Sequence, residues 1–147
     1  MSILAALCVG SISIGQEEKA PLVVRAGTVW IGKAKIPIDD SGKTMKDQAI
    51  AMRIEQVVQR QVVHATLWPT DALLLRLKGE LSKENHLQLR VIEVCQPKDR
   101  PLESHVWRDG IVFQGRISGE KIEGSIRWPV NDQGVAREGT FVLRAIK

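Results

Sequence analysis

The stretch IVFQGRISGEKIEGSIRW, residues 111–128, places a glycine on the apolar face of each of two adjoining alternating runs. Side chains alternate along a strand, so Ile111, Phe113, Gly115 and Ile117 share one face and Ile122, Gly124, Ile126 and Trp128 share one face of the next. A Gly119-Glu120 turn sets Ile117 opposite Ile122, Gly115 opposite Gly124, Phe113 opposite Ile126 and Ile111 opposite Trp128. Gly119 at the first turn position suits a type II′ turn, which needs a positive φ there. Gln114, Arg116, Glu123, Ser125 and Arg127 are left toward solvent. Glycine inside a strand loses packing and backbone entropy. A flat sheet has no use for it on the buried face, but a sheet closing on itself does. Bending is easiest where no side chain collides with the facing wall, and closure removes the exposed edges.

The same design recurs along the chain. LRLKGELSKENHLQLRV places Leu75, Leu77, Gly79 and Leu81 on one face, turns at Lys83-Glu84-Asn85 with Asn85 suited to the left-handed position, and continues with Leu87, Leu89 and Val91. TVWIGKAKI offers Trp30, Gly32, Ala34 and Ile36, and REGTFVLRAI offers Gly139, Phe141, Leu143 and Ala145. The segment 45–62 has two readings. Thr44 with Asp47 resembles a helix capping box, and Ile50, Ile54, Val57 and Val58 approximate helical spacing. The hairpin reading, which we favour, turns at Val58-Gln59 and sets Ile54 opposite Val63, Met52 opposite Ala65 and Ile50 opposite Leu67.

Strands are therefore predicted near 27–36, 49–57, 60–68, 72–81, 87–95, 111–118, 121–128 and 138–146. The fold class is all-β, an eight-stranded antiparallel up-and-down β-barrel. Two longer loops, 37–48 and 96–110, are rich in turn residues, and a short extra strand is expected at 103–107.

With 147 residues, 44% of them hydrophobic, the chain can bury one sizeable core, so the barrel is read as a single domain over 27–147. The first fifteen residues carry no charge and end in Ser13-Ile14-Gly15, which reads as a signal peptide over 1–15, followed by an extension at 16–26. An apolar N-terminal strand is the rival. The signal predicts an extracytoplasmic, periplasmic or secreted, location and leaves Cys95 as the mature chain's single thiol, which excludes an internal disulfide there. The apolar run is too short to span a membrane.

Lys and Arg exceed Asp and Glu by 21 to 17, without a basic run, and with no Tyr and two Phe the chain lacks a stacking platform. Nucleic-acid binding is not expected. His64, His86 and His105 are isolated and do not suggest a metal site, and no cofactor is predicted. No nucleophile elbow, phosphate-binding loop or dinucleotide fingerprint is present. The enzyme question stays open, with a non-catalytic protein favoured and no catalytic residue named.

Four tryptophans stand out. Trp30 and Trp128 are expected to fill one end of the barrel, Trp68 to lie at a strand end before Pro69, and Trp107 in the long loop. An eight-stranded barrel is about wide enough to be filled by side chains or to hold one small ligand. If it holds one, the lining is expected to be Trp30, Met52, Leu77, Leu89, Phe113, Ile126, Trp128 and Phe141.

The run from Phe113 to Gly124, reading F-x-G-x-I-x-G-x-x-I-x-G, resembles the hairpins of lipocalin-like (calycin) barrels and of small secreted bacterial barrels of unknown function. Gly27-Thr28-Val29-Trp30 is similar to the lipocalin Gly-x-Trp on the first strand, with one residue more, and no room is left for the helix lipocalins append. The resemblance implies binding of a small apolar molecule inside the barrel. The alternative is an envelope or extracellular protein-interaction module with a filled core, using loops 37–48 and 96–110 as its contact surface.

Overall fold

The β6–β7 hairpin forms with the pairing expected from its alternation: Ile117 faces Ile122, Gly115 faces Gly124 and Phe113 faces Ile126. Gly119 has a φ of 62° and Glu120 does not share it, as a type II′ turn requires. The computed structural model describes residues 24–37, 44–70, 73–95, 107–130 and 134–146. Their strands are β1 (Val29–Pro37), β2 (Met45–Val58), β3 (Val62–Thr70), β4 (Leu73–Leu81), β5 (His86–Cys95), β6 (Val112–Ser118), β7 (Lys121–Arg127) and β8 (Glu138–Ile146). Each pairs antiparallel with the next, and β8 pairs with β1 to close the barrel. The signal segment and residues 38–43 and 96–106 of the two long loops lie outside the described residues, as does all but the last residue of the strand expected at 103–107. Residues 45–48, expected in the first loop, instead open β2, because they pair with Pro37–Ala34 of β1.

The inward glycines have a different cause from collision with the opposite wall. A Cβ at Gly124 would overlap the Gln114 carbonyl of the adjacent strand and lie 2.6 Å from Gly115 Cα. At Gly32 it would overlap the Val142 carbonyl of β8. The strands coil so tightly that each neighbour's backbone occupies the side-chain position. The glycines thus record close approach within the sheet rather than clearance across it.

The segment 45–62 is a hairpin and not a helix, but its register differs from expectation. Ile54 faces Ala65 and Met52 faces Leu67. The turn lies further along, with Gln59 and Arg60 at φ of 53° and 60°, closed by the Gln61 N–H on the Val58 carbonyl at 3.0 Å. Glu55 is an extra, unmatched residue that shifts the ladder. Because the offset from the expected pairing is two residues up to Ile54, the inward set there is unchanged. The β4–β5 turn follows the sequence reading, with Asn85 at a φ of 66° and its N–H on the Ser82 carbonyl at 3.1 Å.

The core is the barrel interior, with Ile54, Val63, Leu67, Leu75, Ile111, Ile122 and Ile126 all inaccessible to solvent. Trp107 enters from the connection before β6 and is also buried. Its ring lies parallel to Phe113, centroids 6.3 Å apart, and tilted against Trp128 at 5.9 Å. Phe113 meets Phe141 edge-on at 5.4 Å. Trp30 and Trp128 do not share an end. Trp30 is the second residue of β1 and Trp128 follows the last residue of β7, so antiparallel neighbours place them at opposite ends of the barrel. The aromatic partner of Trp128 is Trp107, a residue that alternation could not place because it lies outside any strand.

Candidate functional site

The structure brings the eight expected lining residues into one interior. Trp30, Met52, Leu77, Leu89, Phe113, Ile126, Trp128 and Phe141 are all between 0% and 4% exposed. An internal void wide enough for a water-sized sphere would leave accessible surface on its walls, and these walls have almost none. Side chains therefore meet across the barrel at close packing. The indole Nε1 of Trp30 is the exception in kind, a buried donor with no acceptor. Such an atom costs about 1–3 kcal/mol if left dry.

The accessible concavity is outside. An open groove of about 850 Å³ crosses the outer surface of β4, β5, β6 and β7. Its lining alternates with the core: Lys78 and Glu80 come from β4, Gln88 and Arg90 from β5, Gln114 and Arg116 from β6, Glu123 and Ser125 from β7. These are the outward positions of strands whose inward positions carry Leu77, Leu89, Phe113 and Ile126, so one alternation builds both surfaces. Gly79, Gly115 and Gly124 also line the groove, at the pinched mid-strand positions. The waist of a coiled barrel is concave along its axis, which is why polar side chains surround a hollow here.

Within the groove, Gln114 Nε2 donates to Gln88 Oε1 at 3.2 Å, leaving the other half of each amide for a ligand. Lys78 stands directly opposite Arg90, and on its other side opposite His64. Arg116 stands opposite His86 on one side and Glu123 on the other. Glu123 is already engaged by Lys121 at 3.3 Å. His86 contributes the one ring of the lining, and no Trp, Tyr or Phe joins it.

Sequence reading named Gln114, Arg116, Glu123 and Ser125 as solvent-facing but did not join them to β4 and β5. Pairing of β5 with β6 spans the connection 96–111, and no turn signal fixes its register. Among the described residues, no group of three His, Cys, Asp or Glu side chains is placed to hold a metal ion. His105 lies outside them, and Cys95 is a free, half-buried thiol. No helix of the described residues is long and apolar enough to cross a membrane. Searched against known proteins, the chain matches no family model and no curated protein.

Proposed function

We propose that this protein is a non-catalytic, extracytoplasmic β-barrel that works as an interaction module, with a filled core and the groove across β4–β7 as its contact surface. The observation that carries this reading is the near-zero exposure of all eight interior residues: an apolar ligand would have to displace packed side chains. Of the loops 37–48 and 96–110, expected from the sequence as a contact surface, residues 45–48 belong to β2 and residues 38–43 and 96–106 lie outside the described residues. The extracytoplasmic location rests on the uncharged N-terminal segment.

A second reading is favoured by one specific observation. The unpartnered indole N–H of Trp30 is the kind of group that a ligand carbonyl or a buried water would satisfy. A lipocalin-like barrel with a small apolar ligand near Trp30 would use it. Native mass spectrometry of protein from its source, before and after organic extraction, tests the choice. Equal masses are expected for the filled barrel, whereas an extractable mass increment moves the function to the interior.

A further inference from the structure

Over the described outer surface, charges on adjacent strands are mostly matched. Arg76 on β4 meets Glu93 directly opposite on β5 at 3.1 Å, and Arg127 on β7 meets Glu138 directly opposite on β8 at 3.6 Å. Two residues along from Arg76 the pattern reverses. Lys78 faces Arg90, with His64 on its other flank. Like charges set directly across a ladder are destabilising, and among the described residues none of the ion pairs involves Lys78, Arg90 or Arg116. A second like-charged pair, Lys121 opposite Arg144, is relieved by Glu123 on Lys121, whereas the conflict at Lys78 and Arg90 has no such counter-ion and marks a surface shaped for something other than folding.

We propose that the β4–β7 groove binds an acidic polysaccharide, a chain of uronate-type sugars. The inference rests on the reading of the groove as the contact surface. The three cations supply carboxylate recognition, Arg90 and Arg116 through guanidinium forks. The remaining lining supplies what sugar hydroxyls need. Gln61, Gln88 and Gln114 carry amides that both donate and accept, Ser82 and Ser125 carry hydroxyls, and Glu80 accepts only. The span from β4 to β7 is three strand spacings, about 14 Å at ~4.8 Å each, so the groove meets several units of a polymer at once.

Other polyanions fit less well. The closed barrel has no free strand edge on which the backbone of an acidic peptide could pair. A nucleic acid would find no Trp, Tyr or Phe in the groove on which to stack its bases, and His86 is the single ring in the lining.

The test is calorimetric titration of the full chain with oligogalacturonate, with poly-glutamate and neutral dextran as comparators. The variants are Lys78→Gln, Arg90→Gln and, outside the groove, Arg127→Gln. Oligogalacturonate is expected to bind, more weakly as salt rises, while dextran does not. Lys78→Gln and Arg90→Gln should each weaken binding about tenfold or more, and Arg127→Gln should leave it unchanged. Removing a like-charge pair should also leave the Lys78→Gln protein melting no lower than the parent. Binding lost together with a lowered melting temperature would make Lys78 a structural residue and overturn the proposal. Tighter binding of poly-glutamate would replace the polysaccharide with an acidic peptide, and binding indifferent to the groove variants would also reject it. Failure here with equal masses before and after extraction leaves the filled-barrel reading standing, so the two failures are distinguishable.

Discussion

The β6–β7 hairpin turns on Gly119, for which a φ of 62° is free of steric penalty, whereas the β2–β3 hairpin turns on Gln59 and Arg60, which hold φ of 53° and 60° with side chains attached. A left-handed conformation costs a residue with a Cβ about 1–2 kcal/mol. The first hairpin has an uninterrupted ladder and a Gly115–Gly124 pair at its centre. The second carries a bulge at Glu55, and beyond it Val57 is only partly buried against the core. Two hairpins of one barrel thus specify their registers differently. In β6–β7 the turn and the pinch fix the pairing locally. In β2–β3 the pairing is held by neighbours, since β2 is also zipped to β1 from Arg53 to Met45 and β3 to β4 from Val62 to Thr70.

The sharpest way to break this contrast is to fill the pinch. Gly124→Val places a Cβ where the Gln114 carbonyl already is, and urea unfolding should show a loss of about 4 kcal/mol or more, or no cooperative transition. The small inward residue of the other hairpin, Ala65, sits opposite Leu77 and Ile54, and Ala65→Gly should cost only about 1 kcal/mol, mainly backbone entropy. A loss under about 1 kcal/mol for Gly124→Val would mean that the two strands can part at the pinch. Next in size are the cores. Ile126→Ala, from a side chain with no exposure, should cost about 2–5 kcal/mol. Val57→Ala, beyond the bulge, should fall below that range, because part of its surface already faces water. Equal losses would show that the bulged end packs as tightly as the regular one.

What the sequence could reveal follows the same division. Where alternation, a turn glycine and matched inward residues coincide, as from Ile111 to Trp128, partner residues were readable one by one, and Asn85 marked the β4–β5 turn equally well. At Val58 to Gln61 no Gly or Asn marks the turn, and the unmatched Glu55 is indistinguishable from any outward glutamate until its partner strand is in place. The interior site residues were legible because burial follows alternation. Their distribution between the two barrel ends was not, and neither was Trp107, whose position depends on a connection rather than on a strand period. The groove escaped for a different reason: Lys78 faces Arg90 in the ladder that runs unbroken from the Asn85 turn, but these residues meet β6 and β7 only through the pairing of Gln88 with Gln114, between strands separated by the long connection.

Turn chemistry gives effects of opposite sign. Arg60→Gly should stabilise the protein by about 0.5–1 kcal/mol, since relief of the left-handed strain exceeds the added freedom of the unfolded chain. Gly119→Ala should destabilise it by about 1 kcal/mol for the converse reason. Thermal melts of the two variants against the parent read the difference directly. If Arg60→Gly lowered the melting temperature, the turn would owe its conformation to contacts of the Arg60 side chain.

The smallest effect separates the bulge from the ion pair beside it. Each hairpin has a same-strand pair two residues apart: Arg53 with Glu55 at 3.5 Å on β2, and Lys121 with Glu123 at 3.3 Å on β7. All four side chains are at least one-third exposed, at 53% and 38% in the first pair and 34% and 57% in the second, so solvent screens both strongly. If Glu55 is merely the extra residue of a bulge imposed by the flanking strands, Glu55→Gln and Glu123→Gln should each change stability by no more than about 0.5 kcal/mol, and by less as salt rises. A clearly larger loss for Glu55→Gln alone would assign its carboxylate a part in setting the bulge. The shifted β2–β3 register would then have a local cause after all, carried by a charge pair rather than by a glycine.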